Sequence, residues 1–400
     1  PVNRIVLAAP DGRIYTVDPG GGGRKQVSPV TGAGFPGGQF TWPVWSPDGG
    51  TVLFSSVLEK PAGGANVSLI RAPAGGGEHV TLYEDDPLSQ GIGNGVPHFA
   101  MWSPDGERIA LIAGASQDLV TLLIDSETGE GIEGVAIGAP VYIAWSPDSR
   151  FLLVHLRDAL FIYQRGEGAE RGRRSLQMGN PALNYYAPQF APLDNRFVYG
   201  DEIDGSRRLV MRLADGVTAK DLGAAQGILG FRWSPSGDNV AVGRGDESGL
   251  FEVLSVVSPQ GGPERELIKK RMYGFWWSPD GRKIAVAAAS RLYRVSIDWS
   301  VIDVATGAET PLGTNLPSSE FEFVLSFFDQ FGNASQLWSP DSKSFVVAGA
   351  MLKPPAVAQP GGELPPPPRG EPEQVWVVDA SGAVAPTPIG EGFLAFWSPR

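Results

Sequence analysis

Cysteine is absent from the 400 residues, and with it go structural disulfides, thiolate metal sites and any cysteine nucleophile. Histidine is scarce: His79, His98 and His155 are the whole supply. No run of about 18 apolar residues occurs, so no helical membrane span is expected. Positive charge is in deficit, with 32 Lys and Arg against 44 Asp and Glu and a formal net charge of −12. Phosphate backbones are bound by basic faces, so nucleic acid is not an expected partner. Residues 1–9 lead directly into a strand-like run and carry no signal-peptide pattern. The missing disulfides leave the compartment open.

Turn-forming residues are plentiful instead. The 53 Gly and 35 Pro fall between hydrophobic runs and not in a single tract, which reads as many turns rather than disorder. Among them the pentapeptide Trp-Ser-Pro-Asp-Gly stands at 102–106 and again at 277–281, with near copies elsewhere. A catalytic motif would not be written so often, because an active site needs one nucleophile. Aligned on the aromatic residue, the copies fall at Trp45, Trp102, Trp145, Phe190, Trp233, Trp277, Trp338 and Trp397, with spacings of 57, 43, 45, 43, 44, 61 and 59. Each unit has one grammar, plain in residues 101–129: an apolar segment before the Trp, a turn, two β-branched-rich runs and a weaker closing run. Four strands per repeat of about 40–45 residues is the grammar of a propeller blade.

Ser at i, Pro at i+1, Asp at i+2 and Gly at i+3 suit a type I turn, which places the motif as a hairpin between the first and second strands of a blade. The Trp then ends the innermost strand and fills the wedge between neighbouring blades. Some copies depart from the pattern. Phe190–Arg196 replaces Trp by Phe and reads as a longer turn, Trp233–Gly237 loses the Asp, and the last copy ends the chain at Arg400.

At these residues the chain resembles the TolB-type β-propeller repeat family, in which a Trp-Ser-Pro-Asp-Gly turn is followed by Ile-Ala and Leu-Tyr-x-Val-Asp strands. Matching stretches are Arg282–Ala289, Gly12–Asp18 and Gln374–Gly382, and the resemblance covers essentially the whole chain. It implies an extracytoplasmic, prokaryotic propeller. Members of the family include periplasmic scaffold proteins, propeller domains attached to serine peptidases, and some polysaccharide lyases.

The expected architecture is all-β: one domain, 1–400, an eight-bladed propeller of four-stranded antiparallel blades with one short helical insertion. Three runs at 4–9, 13–17 and 24–28 precede the first motif and lack a first strand, which 393–398 supplies. The last blade is thus shared between 1–30 and 391–400, pairing an otherwise open edge.

Function is sought where the repeat is violated. Extra residues at 58–66, 86–96, 315–333 and 352–373 gather on the face that carries second-to-third turns and blade connections. In the third of these, Ser319 and Glu322 fit a capping box and Gly332 is placed to end a helix. Phe321, Val324, Leu325, Phe328 and Phe331 form one stripe, and Phe323 and Phe327 widen it. The Phe side chains either plug the central opening or, on the second stripe, meet a partner protein. Pro365–Pro368 and Arg369 favour polyproline II, as a ligand for an aromatic groove or as a solvated loop. The candidate partner-binding residues are Phe321, Phe323, Phe327, Phe328, Phe331, Pro365 and Arg369, joined by the glycine-rich loop at 91–95.

Catalytic signals are poor. The three histidines fall on an outermost, an innermost and a second strand, no Gly-x-Ser-x-Gly elbow occurs, and Asp201–Gly205 is too short for an EF-hand loop. The expectation is a monomeric, non-enzymatic binding or scaffold propeller with a protein partner and no cofactor or metal. The alternatives are a substrate-gating propeller of a larger serine peptidase and a carbohydrate-active, lyase-like propeller.

Overall fold

Second strands such as Arg108–Gly114 and Lys283–Ala289 are buried almost end to end, whereas outer strands such as Val80–Glu84 and Glu133–Ile137 bury one residue in five. This is what stacked blades require: inner strands are covered on both faces by neighbours and read as continuous apolar runs, while the outer edge meets water. The computed structural model describes residues 3–400 apart from 31–38, 61–64, 86–91, 93–95, 116–117, 167–171, 176–179, 182–184, 215–218, 226, 247–248, 294 and 353–372. The described residues form antiparallel sheets and two short helices, the arrangement of a β-propeller.

Four sheets hold four strands and one holds five. The remaining ten-stranded sheet spans three repeats. It is joined because the 13-residue strand Arg265–Trp277 closes one repeat against Phe251–Val257 and opens the next against Lys283–Ala289. A second join pairs Thr314–Pro317 with Gly349–Leu352. The C-terminal strand Leu394–Trp397 pairs antiparallel with Ile5–Ala8, in register from Ile5↔Trp397 to Ala8↔Leu394.

The motif turns form as the sequence predicts. In 103–108 the Gly106 N–H donates to the Ser103 carbonyl at 2.8 Å, the Ser103 hydroxyl donates to Asp105 at 2.5 Å, and the Arg108 N–H donates to Ser103 Oγ at 3.0 Å. In the sister turns, the hydroxyls of Ser46 and Ser339 hold the carboxyls of Asp48 and Asp341 below the ordinary aspartate range. The turn at Phe190 is not longer: Ala191 N–H reaches the Arg196 carbonyl across the same five residues, and only the Asp moves one place along. Where Ser replaces the turn Gly, at Ser149 (φ 60°) and Ser342 (φ 61°), its Oγ accepts the N–H of Asp105 or Asp280 in the preceding motif. The left-handed backbone is retained there because the hydroxyl links two turns.

Five of the motif Trp side chains do more than fill a wedge. Indole Nε1 of Trp145, Trp233, Trp277 and Trp338 donates to the carbonyl of Met101, Gln189, Arg232 and Trp276, each the residue before the aromatic of the preceding repeat, at 2.9–3.4 Å. Trp45 makes the same bond to Phe396, in the last repeat.

Candidate functional site

The insertion between the sixth motif, at Trp277, and the seventh, at Trp338, builds the centre of the molecule. Helix α1, Ser319–Ser326, is capped by Ser318, whose Oγ accepts the Phe321 N–H at 3.1 Å; the cap therefore lies one residue before the Ser319 expected from sequence. The chain breaks at Phe327 (φ −126°, ψ 43°) and resumes as α2, Phe328–Ala334. Gly332 does not end a helix. It lies inside α2, where a Cβ would come within 2.6 Å of the Arg232 guanidinium.

Helix α2 packs against the innermost strands His98–Trp102, Val141–Trp145, Ile228–Trp233 and Arg265–Trp277, and α1 against Arg265–Trp277, Glu309–Pro317 and Ser344–Leu352. Phe328 is 2% exposed, among the rings of Phe251, Phe275 and Trp276, over a strand glycine: a Cβ at Gly274 would lie 2.7 Å from it. Phe321 packs on Trp299, and Phe331 stacks on Trp42 at 5.3 Å. Trp42 is turned onto the helix by a left-handed backbone (φ 55°) at the bulge between Thr41 and Val44. Phe321, Phe328 and Phe331 are thus buried in the interior and present no surface to a partner, which corrects that part of the expected contact patch. Phe323 and Phe327, 4.9 Å apart, remain half-exposed. Pro365, Arg369 and positions 91 and 93–95 lie outside the described residues.

The other side of α2 is polar and equally enclosed. An innermost strand has one paired edge and one edge facing inward, whose N–H groups need acceptors. Gln330 Oε1 accepts from Ile143 N–H at 3.0 Å, and Asp329 Oδ2 from Ala187 N–H at 2.9 Å. Arg232 donates to the carbonyls of Asp329 and Gly332 and to Asn333 Oδ1, placing a cation at the carbonyl end of the helix. Burial raises the Asp329 carboxyl to about 6, against the pull of its N–H donors and of Arg232, and lowers Arg232 to about 10. Burial, with the Asp329 charge nearby, also pushes the phenols of Tyr142 and Tyr186 up.

Between the helices and the strands on one side is a cavity of 350 Å³. Phe323, Phe327 and Gln330 form one wall; Ile92, Phe99, Leu119, Pro140 and Tyr142 form the other. Its lining includes Leu119, which follows a second-to-third turn, and Ile92 and Pro140, which lie in connections between repeats.

The histidines fall where the repeat puts them, His79 just before the outer strand Val80–Glu84, His98 opening an inner strand and His155 within a second strand. Among the described residues no group of three His, Asp or Glu side chains is gathered for a metal. His155 stacks on Tyr185 at 4.4 Å, and burial lowers its pKa. Asp201–Gly205 is a hairpin, with Asp204 and Gly205 at positive φ. One constellation escaped the sequence: His98 Nδ1 is 3.1 Å from Ser55 Oγ and Nε2 is 2.8 Å from Asp85 Oδ1. The three side chains are linked in the order Ser-His-Asp but with the ring nitrogens exchanged relative to a catalytic triad, in which Nε2 faces the Ser; Ser55 and His98 are 1% and 2% exposed, and the adjoining void is only 10 Å³. The cluster ties two repeats together.

No protein-family model matches the chain, and no curated protein matches it. Among solved structures it is similar to a eukaryotic initiation factor, with TM-score 0.56 and 11% identity over 99% of this chain and 98% of that one. It is also similar to a prolyl endopeptidase, with TM-score 0.56 and 14% identity over 79% of this chain and 49% of that one, so the match spans about half of that enzyme. TolB from Acinetobacter baumannii aligns with TM-score 0.42 and 15% identity over 88% of this chain and 83% of that one. At such identities the first two likenesses support a propeller fold and carry no activity.

Proposed function

We propose that the chain is a non-enzymatic binding or scaffold propeller: eight four-stranded blades closed by the pairing of both termini, a monomer acting outside the cytoplasm, with a protein partner on the insertion-bearing face. The observation that carries this reading is the cavity beside α1 and α2 with its half-exposed rim of Phe323 and Phe327. A concave apolar site with a few polar groups is the usual form of a binding site, and rigid aromatics at its rim are good anchors. The burial of the Ser55–His98–Asp85 cluster supports a non-enzymatic role. The indole links between successive motifs and the strand pair at the termini support eight closed blades. Placement outside the cytoplasm rests on the motif resemblance.

A Phe323→Ala, Phe327→Ala double variant tests the reading, with melting temperature and cross-linked capture of the partner from source-cell extract measured together. The expected result is a retained melting curve with capture lost; lost stability with retained capture would assign both rings to the core. The second reading, a substrate-gating domain of a serine peptidase, is favoured by the half-length match to the endopeptidase. It is opposed by α1 and α2, which occupy the space through which a substrate would pass.

A further inference from the structure

We propose that the cavity beside the helices binds a small uncharged molecule with an aromatic or branched apolar body and one hydrogen-bond acceptor, which the Gln330 side-chain amide engages. The inference rests on the reading of the insertion-bearing face as the working face and adds the chemistry of what it takes.

Size comes first. An engineered cavity of about 150 Å³ already takes benzene, and small-molecule sites run from about 300 Å³ upward. At 350 Å³ this cavity exceeds the needs of one ring, which points to a ring with a substituent. Its walls decide charge. Phe99, Leu119, Tyr142, Phe323 and Phe327 bring apolar surface, and among the described residues no Asp, Glu, Lys, Arg or His lines it. An ion entering it would lose its hydration with nothing to replace it.

Gln330 decides polarity. The side chain is 4% exposed, and its Oε1 is committed to the Ile143 N–H at 3.0 Å. That bond fixes which way the amide faces, since the flipped amide would set donor against donor. The other end, Nε2, is a buried donor with no partner. Leaving a buried donor unmade is costly, so a ligand acceptor gains both a hydrogen bond and relief of that cost.

The test uses N-benzylacetamide, which is neutral with one carbonyl acceptor, beside butylbenzene, which lacks the acceptor, and 4-phenylbutyrate, which is charged. Binding is followed by ligand-observed NMR titration against wild type, Leu119→Trp, which fills the cavity, and Gln330→Glu, which keeps the acceptor for Ile143 but drops the donor. The expectation is one saturable site for N-benzylacetamide, lost in Leu119→Trp at unchanged melting temperature. Binding should be about tenfold weaker in Gln330→Glu, the effect of one hydrogen bond. If Gln330→Glu fails to fold, the same tenfold preference for N-benzylacetamide over butylbenzene on wild type carries the acceptor claim. Unsaturable binding, equal binding by Leu119→Trp, or equal affinity for 4-phenylbutyrate overturns the proposal. Probe binding without partner capture would sink the protein-partner reading alone, and capture without probe binding would sink this one alone.

Discussion

Asp329 offers a sharp test of the interior. Its carboxyl is buried among Arg232, Tyr142, Tyr186 and the N–H groups of Ala187 and Gln330, and its pKa is raised from 3.8 to about 6. Between those values the folded chain holds a proton that the unfolded chain has released. Its contribution to stability is therefore complete below about 3.8, falls as pH rises, and is lost once pH has passed about 6. Each pH unit across that window is worth about 1.4 kcal/mol, so the full change is about 3 kcal/mol. The many surface carboxylates titrate in the opposite sense, so wild type must be compared with Asp329→Asn, in which they cancel. Urea unfolding of both proteins from pH 4 to pH 8 gives the difference directly. Wild type should lose about 2.4 kcal/mol of that relative to the variant as pH rises from 4 to 7. A flat difference would refute the claim that Asp329 is desolvated on α2, whatever the absolute stabilities.

Three further outcomes are expected. Phe328→Ala should cost about 3–5 kcal/mol by opening a cavity among Phe251, Phe275 and Trp276, whereas half-exposed Phe327→Ala should cost under about 1.5 kcal/mol, both read from denaturant midpoints. Deleting residues 393–400 strips the partner from Ile5–Ala8, so the melting temperature should fall or the protein aggregate; an unchanged curve would show the terminal pairing to be dispensable. His98→Ala leaves Asp85 and Ser55 buried without their shared partner and should cost roughly 3 kcal/mol, measured by chemical denaturation.

The repeat, its turns and the terminal pairing were legible because they are local and periodic. Ser103, Asp105 and Arg108 meet within six residues, and the same letters recur along the chain. The interior was not legible, because its bonds join residues far apart with no shared pattern: Ala187 with Asp329, Ile143 with Gln330, Ser55 with His98. Two signals were nonetheless present. Asp329, Gln330 and Asn333 interrupt a Phe-rich segment on one helical side, which suits a buried polar seam better than a solvated face. Gly230 and Gly274 break inner-strand runs where Phe328 comes close, as isolated strand glycines do. The helix cap was missed by one residue because Ser318 and Ser319 are adjacent, and only backbone geometry separates them.

The insertion carries a consequence for how the protein unfolds. A stack of blades touching only its neighbours is a one-dimensional array, whose units can melt in succession at energies that sum locally. Helix α2 breaks that description, because a segment encoded between the sixth and seventh motifs is bonded to backbone N–H groups 142 and 187 residues earlier in the chain. No blade it touches can leave without exposing Asp329, Gln330 or Phe328, so loss of one is loss of all. The helices act as a keystone that makes melting a single cooperative event, and they delay its reverse, since the central contacts close only after nearly the whole chain is present.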